Sequence, residues 1–286
     1  MPQNNEFITL LISCPDQPGI VAAVSRFIAE HQGNITQSDQ HSTDLHGGTF
    51  FMRISFAEDS FTLSEAELAR AFEPIAETFS MRWSVRYSRH RKRAAILVSK
   101  LDHCLRDLLW RWSSGELAMD IACIISNHRD LEYIAQQHAI PYHHFPIQRD
   151  FRREDEQRML DFLADKVDLV ILARYMQILE PFFVQEYPHQ IINIHHSFLP
   201  AFVGANPYER AFERGVKIIG ATAHYVTESL DEGPIIAQDV IHCTHRDTVR
   251  DMMRKGRDVE RRVLAEAVRL HTEDRVLVYR NKTIVF

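Results

Sequence analysis

Four nearly continuous apolar runs are the strongest constraint on how this chain can fold after residue 93. They cover residues 94–99, 121–126, 168–173 and 191–194. Strands that are apolar along most of their length are typical of parallel sheets, which helices bury on both faces. Stretches with helical spacing of apolar residues, such as 104–114, separate the runs. The pattern predicts an α/β unit built on a doubly wound, mostly parallel sheet.

A separate α+β unit is predicted for residues 6–88. Its order is strand, helix, strand, strand, helix, strand, which is the ferredoxin-like arrangement. The first strand is predicted over 7–13 and the last over 81–87. Ser64 and Glu67 have the spacing of a capping box, so the second helix of the unit is predicted to begin after Ser64.

Composition excludes several classes of protein from the prediction. The formal net charge of −6 gives no electrostatic reason to expect a nucleic-acid or anionic-membrane partner. The four cysteines are widely spaced and form neither a paired metal motif nor a disulfide framework, which fits the reducing cytoplasm. No run of about 18 apolar residues occurs, and residues 1–6 do not begin a signal peptide. We therefore expect a cytoplasmic protein without a membrane partner.

Two charged segments are predicted to lie at the surface. The basic run 88–93 joins the predicted units, and residues 89–93 are interpreted as an exposed linker, because a solvated run is more common than a nucleic-acid patch in an acidic chain. Residues 149–158 are predicted to be a solvated loop and the start of a helix.

Three polar residues form the candidate catalytic site. Asn193 and His195 interrupt the last apolar run, so in a strand they share a face roughly 6.6 Å apart, while His196 points to the other face. Asp231 follows a later strand, just before a glycine and proline turn. An amide, an imidazole and a carboxylate at strand ends can stabilise an oxyanion, carry a proton and set a protonation state. Asn193 considered alone is more typical of a hydrogen-bonded structural group.

The segments around these residues resemble the folate-dependent formyltransferase family. Asn-Ile-His-His-Ser-Phe-Leu-Pro-Ala-Phe at 193–202 and Leu-Asp-Glu-Gly-Pro-Ile-Ile at 230–236 carry the resemblance, which extends over about residues 92–286. It implies a formyltransferase-type sheet. It also implies, residue by residue, that Asn193, His195 and Asp231 are the catalytic triad.

The turn after the strand at 94–99 differs from that of the family members that act on nucleotides. In those members a glycine-rich turn holds the phosphate of the acceptor, because glycine lets backbone amides approach closely. Here residues 100–107 read Lys-Leu-Asp-His-Cys-Leu-Arg-Asp, without glycine and with two carboxylates. No ribonucleotide acceptor is therefore expected. His196 and the segments 204–208 and 214–217 also resemble the hydrolytic branch of the family.

Resemblance to that branch implies a reaction and a role. The expected reaction is hydrolysis of 10-formyltetrahydrofolate to formate and tetrahydrofolate, with the folate as substrate and no cofactor or metal. The expected role is to balance the one-carbon folate pool and to supply formate for purine biosynthesis.

The resemblance also assigns the folate-binding loops. The segment 174–179 stands where the pterin-binding loop of the family lies, and the segment 226–231 is expected to close the other side of the ring. Backbone groups there can read the donors and acceptors of a pterin edge while apolar side chains form the walls. The candidate substrate-binding residues are Arg174, Tyr175, Met176, Gln177, Leu179, Val226 and Thr227.

The first unit resembles an ACT domain through its Asp-Gln-Pro-Gly-Ile turn. The resemblance implies a regulatory domain at 6–88, ahead of a catalytic domain at 94–286, that binds an amino-acid effector and mediates homo-oligomerisation. A turn that leads into a helix N-terminus suits the carboxylate of such an effector. The candidate effector residues are Asp16, Gln17, Gly19, Ile20 and Asn34.

Three alternatives remain open from the sequence. A metallohydrolase would use histidines such as the pairs at 143–144 and 195–196, but neighbouring strand residues face opposite ways and no His-Glu-x-x-His pattern occurs. A formyltransferase would pass the formyl group to an amine acceptor or a sugar nucleotide. A non-catalytic sensor would bind folate without turnover.

Overall fold

The computed structural model describes residues 6–44, 47–200 and 207–286. The chain divides into two compact units. The first contains the residues up to Arg91 together with Asp274–Leu277 and Ile284–Phe286, and the second contains Lys92–Glu273 and Val278–Thr283. The C-terminal residues of the first unit fall inside the range 94–286 that the sequence assigns to the catalytic domain.

Among the described residues, the first unit holds a four-stranded antiparallel sheet in the order β2-β3-β1-β4. Apolar residues on one face of β1 and β3 pack against both helices, and Phe27 contacts Phe72 within this core. The predicted ferredoxin-like order is confirmed. Its elements are β1 (Phe7–Pro15), α1 (Ile20–Glu30), β2 (Ile35–Ser42), β3 (Thr49–Ala57), α2 (Glu65–Thr78) and β4 (Arg82–Tyr87).

The ends of the two helices follow from local sequence. The capping box predicted for Ser64 and Glu67 is present at the start of α2, where the Glu67 carboxylate accepts a hydrogen bond from the Ser64 amide at 2.9 Å. Before α1, Gly19 has a φ of 98°, a left-handed conformation that glycine adopts without steric cost. This glycine lets the chain turn directly from β1 into α1.

The described part of the second unit holds a seven-stranded sheet in the order β11-β10-β9-β8-β5-β6-β7. The strands from β9 to β7 are parallel, whereas β10 is antiparallel to both β9 and β11. The predicted doubly wound, mostly parallel sheet is confirmed. Its elements are β5 (Lys92–Val98), α3 (His103–Ser113), β6 (Met119–Ser126), α4 (Glu132–Gln137), β7 (Tyr142–His144), α5 (Arg152–Leu163), β8 (Leu169–Leu172), α6 (Pro181–Glu186), β9 (Ile191–His195), α7 (Pro207–Arg214), β10 (Ile218–Tyr225), β11 (Ile235–His242) and α8 (Val249–Thr272). Two short strands, β12 (Val276–Tyr279) and β13 (Lys282–Val285), form a further small sheet.

Two residues of the segment 89–93, interpreted from the sequence as a linker, lie in a strand. β5 begins at Lys92, two residues before the predicted start. The Arg93 guanidinium donates to both oxygens of Asp168, and Lys92 Nζ donates to the carbonyl oxygen of His271 at 2.9 Å. These two side chains have specific partners in the second unit because they belong to the first two residues of β5.

The prediction of a solvated segment at 149–158 is wrong for two residues. Asp155 and Glu156 lie in α5 and are buried. The Asp155 carboxylate accepts a hydrogen bond from the Gln148 amide, and the Glu156 carboxylate accepts one from the Glu180 amide, both at 2.8 Å. Buried carboxylates that accept backbone amides hold loops in place, so their charge does not require solvent.

The turn between β5 and α3 has the character that the sequence predicts. It contains no glycine, and Asp102 forms an ion pair with Arg106 one helical turn away. The turn passes directly into α3 at His103.

None of the helices in the described ranges combines the length and the apolar character that a membrane span requires.

Candidate active site

The register between β9 and β10 places polar side chains on one face of the sheet. In this antiparallel pair Asn193 lies opposite His224, and His195 lies opposite Thr222. Asn193 Nδ2 lies 3.2 Å from His224 Nε2, and His224 Nδ1 lies 3.0 Å from the carbonyl oxygen of Tyr225. A carbonyl oxygen can only accept a hydrogen bond, so His224 carries a proton on Nδ1 and its Nε2 accepts from the Asn193 amide.

Asp231 reaches the same place from the loop between β10 and β11. Its Oδ2 lies 3.2 Å from His195 Nδ1, and its Oδ1 lies 3.6 Å from His224 Nε2. Asp231 has a φ of 57°, in the left-handed region that Asp and Asn occupy more readily than other non-glycine residues. Its backbone turn therefore aims the carboxylate at the histidines. The structure brings together Asn193, His195 and Asp231, as the sequence predicts.

Burial and these contacts set the charges of the site. Burial acts to raise the pKa of Asp231, but its hydrogen bond with His195 opposes burial and is the main cause that holds that pKa well below its usual range. Burial, and then the positive charge of Arg174, lower the pKa of His196 to about 4. At neutral pH Asp231 is therefore ionised and His196 is neutral.

His195 has one ring nitrogen committed and one available. Nδ1 carries a proton and donates a hydrogen bond to the Asp231 carboxylate. Nε2 is buried and has no hydrogen-bond partner among the described residues. Buried polar atoms are usually paired, so an unpaired ring nitrogen beside an ionised carboxylate marks a position where a ligand or reacting group completes the bonding.

A cavity of about 620 Å³ lies against these side chains. That volume suits a ligand of the size of a cofactor or drug. Met176 and Ile178 line it with side chains that are 57% and 55% exposed, and such exposed apolar groups are suited to packing on a flat ring. Its lining includes every residue that the sequence assigns to the folate loops, namely Arg174, Tyr175, Met176, Gln177, Leu179, Val226 and Thr227.

Ser99 anchors the first of these loops. Its hydroxyl accepts a hydrogen bond from the Met176 amide at 2.9 Å and donates one to Asn127 Oδ1 at 2.8 Å. Ser99 is buried at the end of β5, and Asn127 follows β6. The loop that lines the cavity is thus fixed to the carboxyl ends of two neighbouring strands, β5 and β6.

Comparisons with known proteins agree with this architecture. The formyl transferase family model matches residues 92–268, and the ACT domain model matches residues 8–73. Formyltetrahydrofolate deformylase from Synechocystis sp. is 56% identical over 97% of this chain and 98% of its own length, and the enzyme from Bacillus subtilis is 53% identical over 97% and 93%. The crystal structure of a formyltetrahydrofolate deformylase from Pseudomonas syringae pv. tomato superposes with a TM-score of 0.96 at 51% identity, covering 100% of this chain and 96% of that one. The chain belongs to the formyltetrahydrofolate deformylase family.

This deformylase-family chain has a second layer of charged side chains behind the cavity wall. Glu260 of α8 is 2% exposed, and its two oxygens accept hydrogen bonds from His103 Nε2 and the Tyr208 hydroxyl, each at 2.8 Å. Arg174 Nε lies 3.5 Å from the same carboxylate. Burial raises the pKa of Tyr208, with the Glu260 charge as a second cause, so this hydroxyl remains a hydrogen-bond donor. Gly256 of α8, whose missing side chain leaves room for the Tyr208 ring, completes the contact.

Part of this layer has the donor types of a metal site. The ligand atoms of His103, Cys104 and Glu260 lie within 4.8 Å of one another. The Glu260 carboxylate is already shared by two hydrogen bonds, however, and the Arg174 cation beside it opposes a second positive charge. Burial raises the pKa of the Cys104 thiol well above its usual value, which disfavours the thiolate that metals bind. In this deformylase-family chain the cluster fits an ion-pair network better than a metal centre.

His196 corrects one sequence prediction. The alternation of a strand predicts that it points away from Asn193 and His195, yet it lines the same cavity. β9 ends at His195, so the two-residue alternation does not extend to the next residue. The His196 ring instead lies between His195 and Tyr208, with ring centroids 5.2 and 6.2 Å away.

Some parts of the predicted site lie elsewhere or outside the described residues. The candidate effector residues are in the first unit, where Ile20 is buried and Gln17, Gly19 and Asn34 are exposed. The Asp16 carboxylate accepts a hydrogen bond from a serine hydroxyl of β2. Residues 201–206, which include part of the family signature and of the segment at 204–208, lie outside the described residues, as do residues 1–5.

Sequence reasoning missed His224, Ser99 and Glu260 as parts of this site. His224 lies in an apolar stretch, and its pairing with Asn193 could be found only from the register of two antiparallel strands. Ser99 ends an apolar run, which is an ordinary place for a serine. Glu260 is one of several acidic residues of α8, and the signal that sets it apart is its position on the apolar face of that helix.

Proposed function

We propose that this protein hydrolyses 10-formyltetrahydrofolate to formate and tetrahydrofolate. The observation that carries the proposal is the pairing of Asp231 with His195 Nδ1, which leaves His195 Nε2 without a partner among the described residues, in a cavity that Asn193 also lines. The high identity to enzymes named formyltetrahydrofolate deformylase supports the same reaction. We assign the catalytic roles to these three residues.

The proposed reaction begins when water adds to the formyl carbon. His195 Nε2 takes a proton from the water, and the ionised Asp231 stabilises the imidazolium that forms. The carbonyl oxygen becomes an oxyanion, to which the Asn193 amide and the imidazolium donate hydrogen bonds. The carbon–nitrogen bond then breaks, and His195 returns a proton to N10. The products are tetrahydrofolate, formate and one proton released to solvent.

His224 supports the amide in this scheme. Because Nε2 of His224 accepts from Asn193 Nδ2, the amide cannot rotate away without losing a buried hydrogen bond. Positioning of this kind keeps the oxyanion donor in place before the charge develops. We therefore assign His224 as a positioning residue.

The folate ring is proposed to bind between the two loops. The apolar side chains of Met176 and Leu179 supply walls, and the polar groups of Gln177 and Thr227 with the nearby backbone can read the pterin edge. Tyr175 of the first loop is buried, and Val226 lies on the opposite loop.

The test of the proposed function uses the purified full-length protein and 10-formyltetrahydrofolate with no acceptor. Formate and tetrahydrofolate should appear in equal amounts. A formyltransferase would instead need an amine acceptor and would yield a formylated product, and a non-catalytic sensor would bind the folate without releasing formate. Formate release that depends on an added amine would contradict the proposal.

For the first unit we propose a regulatory role. The match to the ACT domain model supports a domain over residues 6–88, for which we propose an amino-acid effector site at the turn of Asp16, Gln17, Gly19 and Ile20 together with Asn34. β2 is an edge strand of the sheet with nearly all residues exposed, which offers unpaired backbone groups to a second copy of the chain. Titration calorimetry with amino acids such as glycine and methionine tests the first proposal, and sedimentation of the full-length protein tests the second.

The proposed setting follows from the same reading. We propose a cytoplasmic enzyme, with a catalytic domain over residues 94–286, that needs no cofactor beyond its folate substrate and has no nucleic-acid or membrane partner. Its products would adjust the one-carbon folate pool and supply formate for purine biosynthesis. Activity that survives dialysis against a chelator would support the absence of a required metal.

A further inference from the structure

Arg174 has an unusual conformation and unused hydrogen-bonding capacity. It follows β8 with a φ of 63°, in the left-handed region that costs a long side chain roughly 1–2 kcal/mol. Its side chain is 10% exposed, lines the cavity, and its Nε has no hydrogen-bond partner among the described residues. Strained backbone and an unpaired buried donor at one residue are typical of a functional position.

Glu260 balances the charge of Arg174 without using its donors. One Glu260 oxygen accepts from His103 and the other from Tyr208. Arg174 Nε is 3.5 Å from the carboxylate and does not form a hydrogen bond with it. The guanidinium is therefore held in place and partly neutralised, yet it keeps N–H groups that can bind an anion.

The position of Arg174 is next to the proposed reaction centre. β8 and β9 are parallel, and Leu172 pairs with Asn193. Arg174 follows Leu172 by two residues just as His195 follows Asn193, so both residues lie at the carboxyl ends of these neighbouring strands. Both of them line the same cavity.

We propose that the Arg174 guanidinium binds the carboxylate of formate as it forms, with Glu260 as the residue that positions the guanidinium. This inference rests on the proposed function, because formate is its product. The formyl group of the substrate is neutral, whereas formate is a small planar anion that can accept two parallel hydrogen bonds from the planar guanidinium. The interaction therefore strengthens along the reaction and is weak in the substrate complex.

The folate substrate offers a second source of carboxylates in its glutamate tail. That tail is separated from N10 by an aromatic ring and an amide, whereas Arg174 lines the cavity together with His195, which must act at N10. The two sources give different results in the test. An arginine that binds the tail affects the KM for the substrate, and an arginine that binds formate affects inhibition by formate.

The experiment measures inhibition of the full-length enzyme by sodium formate, with sodium chloride at equal ionic strength as reference. It also measures direct binding of ¹³C-formate by NMR line broadening.

Arg174→Gln should raise the inhibition constant of formate about 10-fold to 100-fold, the usual loss for a charge-assisted hydrogen bond. Arg174→Lys keeps the charge but removes the planar fork, and should weaken formate about 10-fold. Glu260→Gln should also weaken formate binding, because the guanidinium loses the carboxylate that holds it in position. Arg254→Gln, at an exposed arginine of α8 paired with Asp251, is the matched control and should not change formate binding.

Several results would overturn the proposal. The first is unchanged formate inhibition in Arg174→Gln, or in Arg174→Lys if the glutamine variant does not fold. The second is formate binding no stronger than that of chloride. The third is an effect of Arg174 that is confined to the KM of the substrate. The NMR measurement of formate binding needs no turnover, so the two proposals fail separately. A protein that binds formate through Arg174 but does not hydrolyse the folate would contradict the proposed function alone.

Discussion

Asn193 lies directly opposite His224 in the antiparallel pair of β9 and β10, and their side-chain nitrogens Nδ2 and Nε2 are 3.2 Å apart. The pairing joins two strands through side chains on the face that carries the candidate site. An antiparallel neighbour can place a histidine level with the amide, where it accepts the amide hydrogen bond.

The first prediction concerns His224. His224→Ala should lower kcat about 10-fold to 100-fold with a smaller change in KM, because the Asn193 amide loses the buried partner that orients it. Steady-state kinetics with 10-formyltetrahydrofolate measure both constants. His242→Ala, at an exposed histidine at the end of β11, is the control and should behave as the unchanged protein. A kcat for His224→Ala within twofold of that protein would show that the amide does not need this partner.

Removal of the amide itself should be more damaging. Asn193→Ala should lower kcat about 10²-fold to 10³-fold, the usual effect of deleting an oxyanion donor. The dissociation constant of a non-hydrolysable folate should change little, because the amide is expected to act on the transition state. Single-turnover rates and equilibrium binding separate the two effects. Near-normal turnover in this variant would make the assignment of Asn193 wrong.

Asp231→Asn tests the carboxylate without disturbing the backbone. Asparagine also tolerates the left-handed conformation at this position, so the loop should keep its shape while the charge is lost. We expect a fall in kcat of at least 10²-fold, since an imidazolium at His195 would no longer be stabilised. Asp231→Ala, which is strained at this φ, should lose stability as well as activity.

The same variant has a predicted pH signature in stability. The pKa of Asp231 lies well below its usual range, so the ionised side chain stabilises the folded state above its unfolded pKa of about 4. This contribution is lost as the pH falls below that value towards the folded pKa. The difference in unfolding free energy between the unchanged protein and Asp231→Asn should therefore shrink between about pH 5 and pH 3 in urea denaturation. A difference that stays constant would contradict the assignment of an ionised, hydrogen-bonded Asp231.

Ser99→Ala should act on substrate binding. The substitution leaves the Met176 amide and Asn127 Oδ1 without their shared buried partner, a loss of about 1–3 kcal/mol. The loop that lines the cavity should become less ordered, so KM should rise up to about 10-fold while kcat changes less. Ser113→Ala, at an exposed serine at the end of α3, provides the control. Equal losses in kcat and KM would indicate that Ser99 also affects the reaction itself.

Gly256→Ala should reverse the usual effect of this substitution. In most helices alanine is more stable than glycine by about 1 kcal/mol. Here an added Cβ would overlap the hydroxyl and ring of Tyr208, and the overpacking should cost about 1–3 kcal/mol instead. Thermal or urea denaturation measures the change. In a Tyr208→Ala background the penalty should disappear, and persistence of the penalty there would mean that Tyr208 is not its cause.

Much of the fold and the centre of the site could be predicted from local sequence. The apolar runs that become β5, β6, β8 and β9 are long enough to give the parallel strands and their order along the chain. Asn193, His195 and Asp231 stand at recognisable spacings beside turn residues, so their types and positions indicate acyl chemistry. The Ser64 and Glu67 pair gives the start of α2 because its signal is contained in four residues.

What the sequence could not give depends on contacts between distant segments. His103, Arg174, Tyr208 and Glu260 come from four elements, and no local pattern indicates that they share one carboxylate. The orientation of His196 could not be predicted because it depends on where β9 ends. The burial of Asp155 and Glu156 was also hidden, since acidic residues at the start of a helix are normally solvated.

The division of the chain into two units limits how the protein can be truncated. Residues from both extremities contribute to the first unit, since Arg53 Nε donates to the carbonyl oxygen of Asp274 at 3.0 Å, and Arg86 forms an ion pair with that residue's carboxylate. A fragment that starts at residue 94 would take with it the piece that these two arginines hold. Neither unit can be excised as one uninterrupted stretch of polypeptide without leaving part of its own structure on the other fragment.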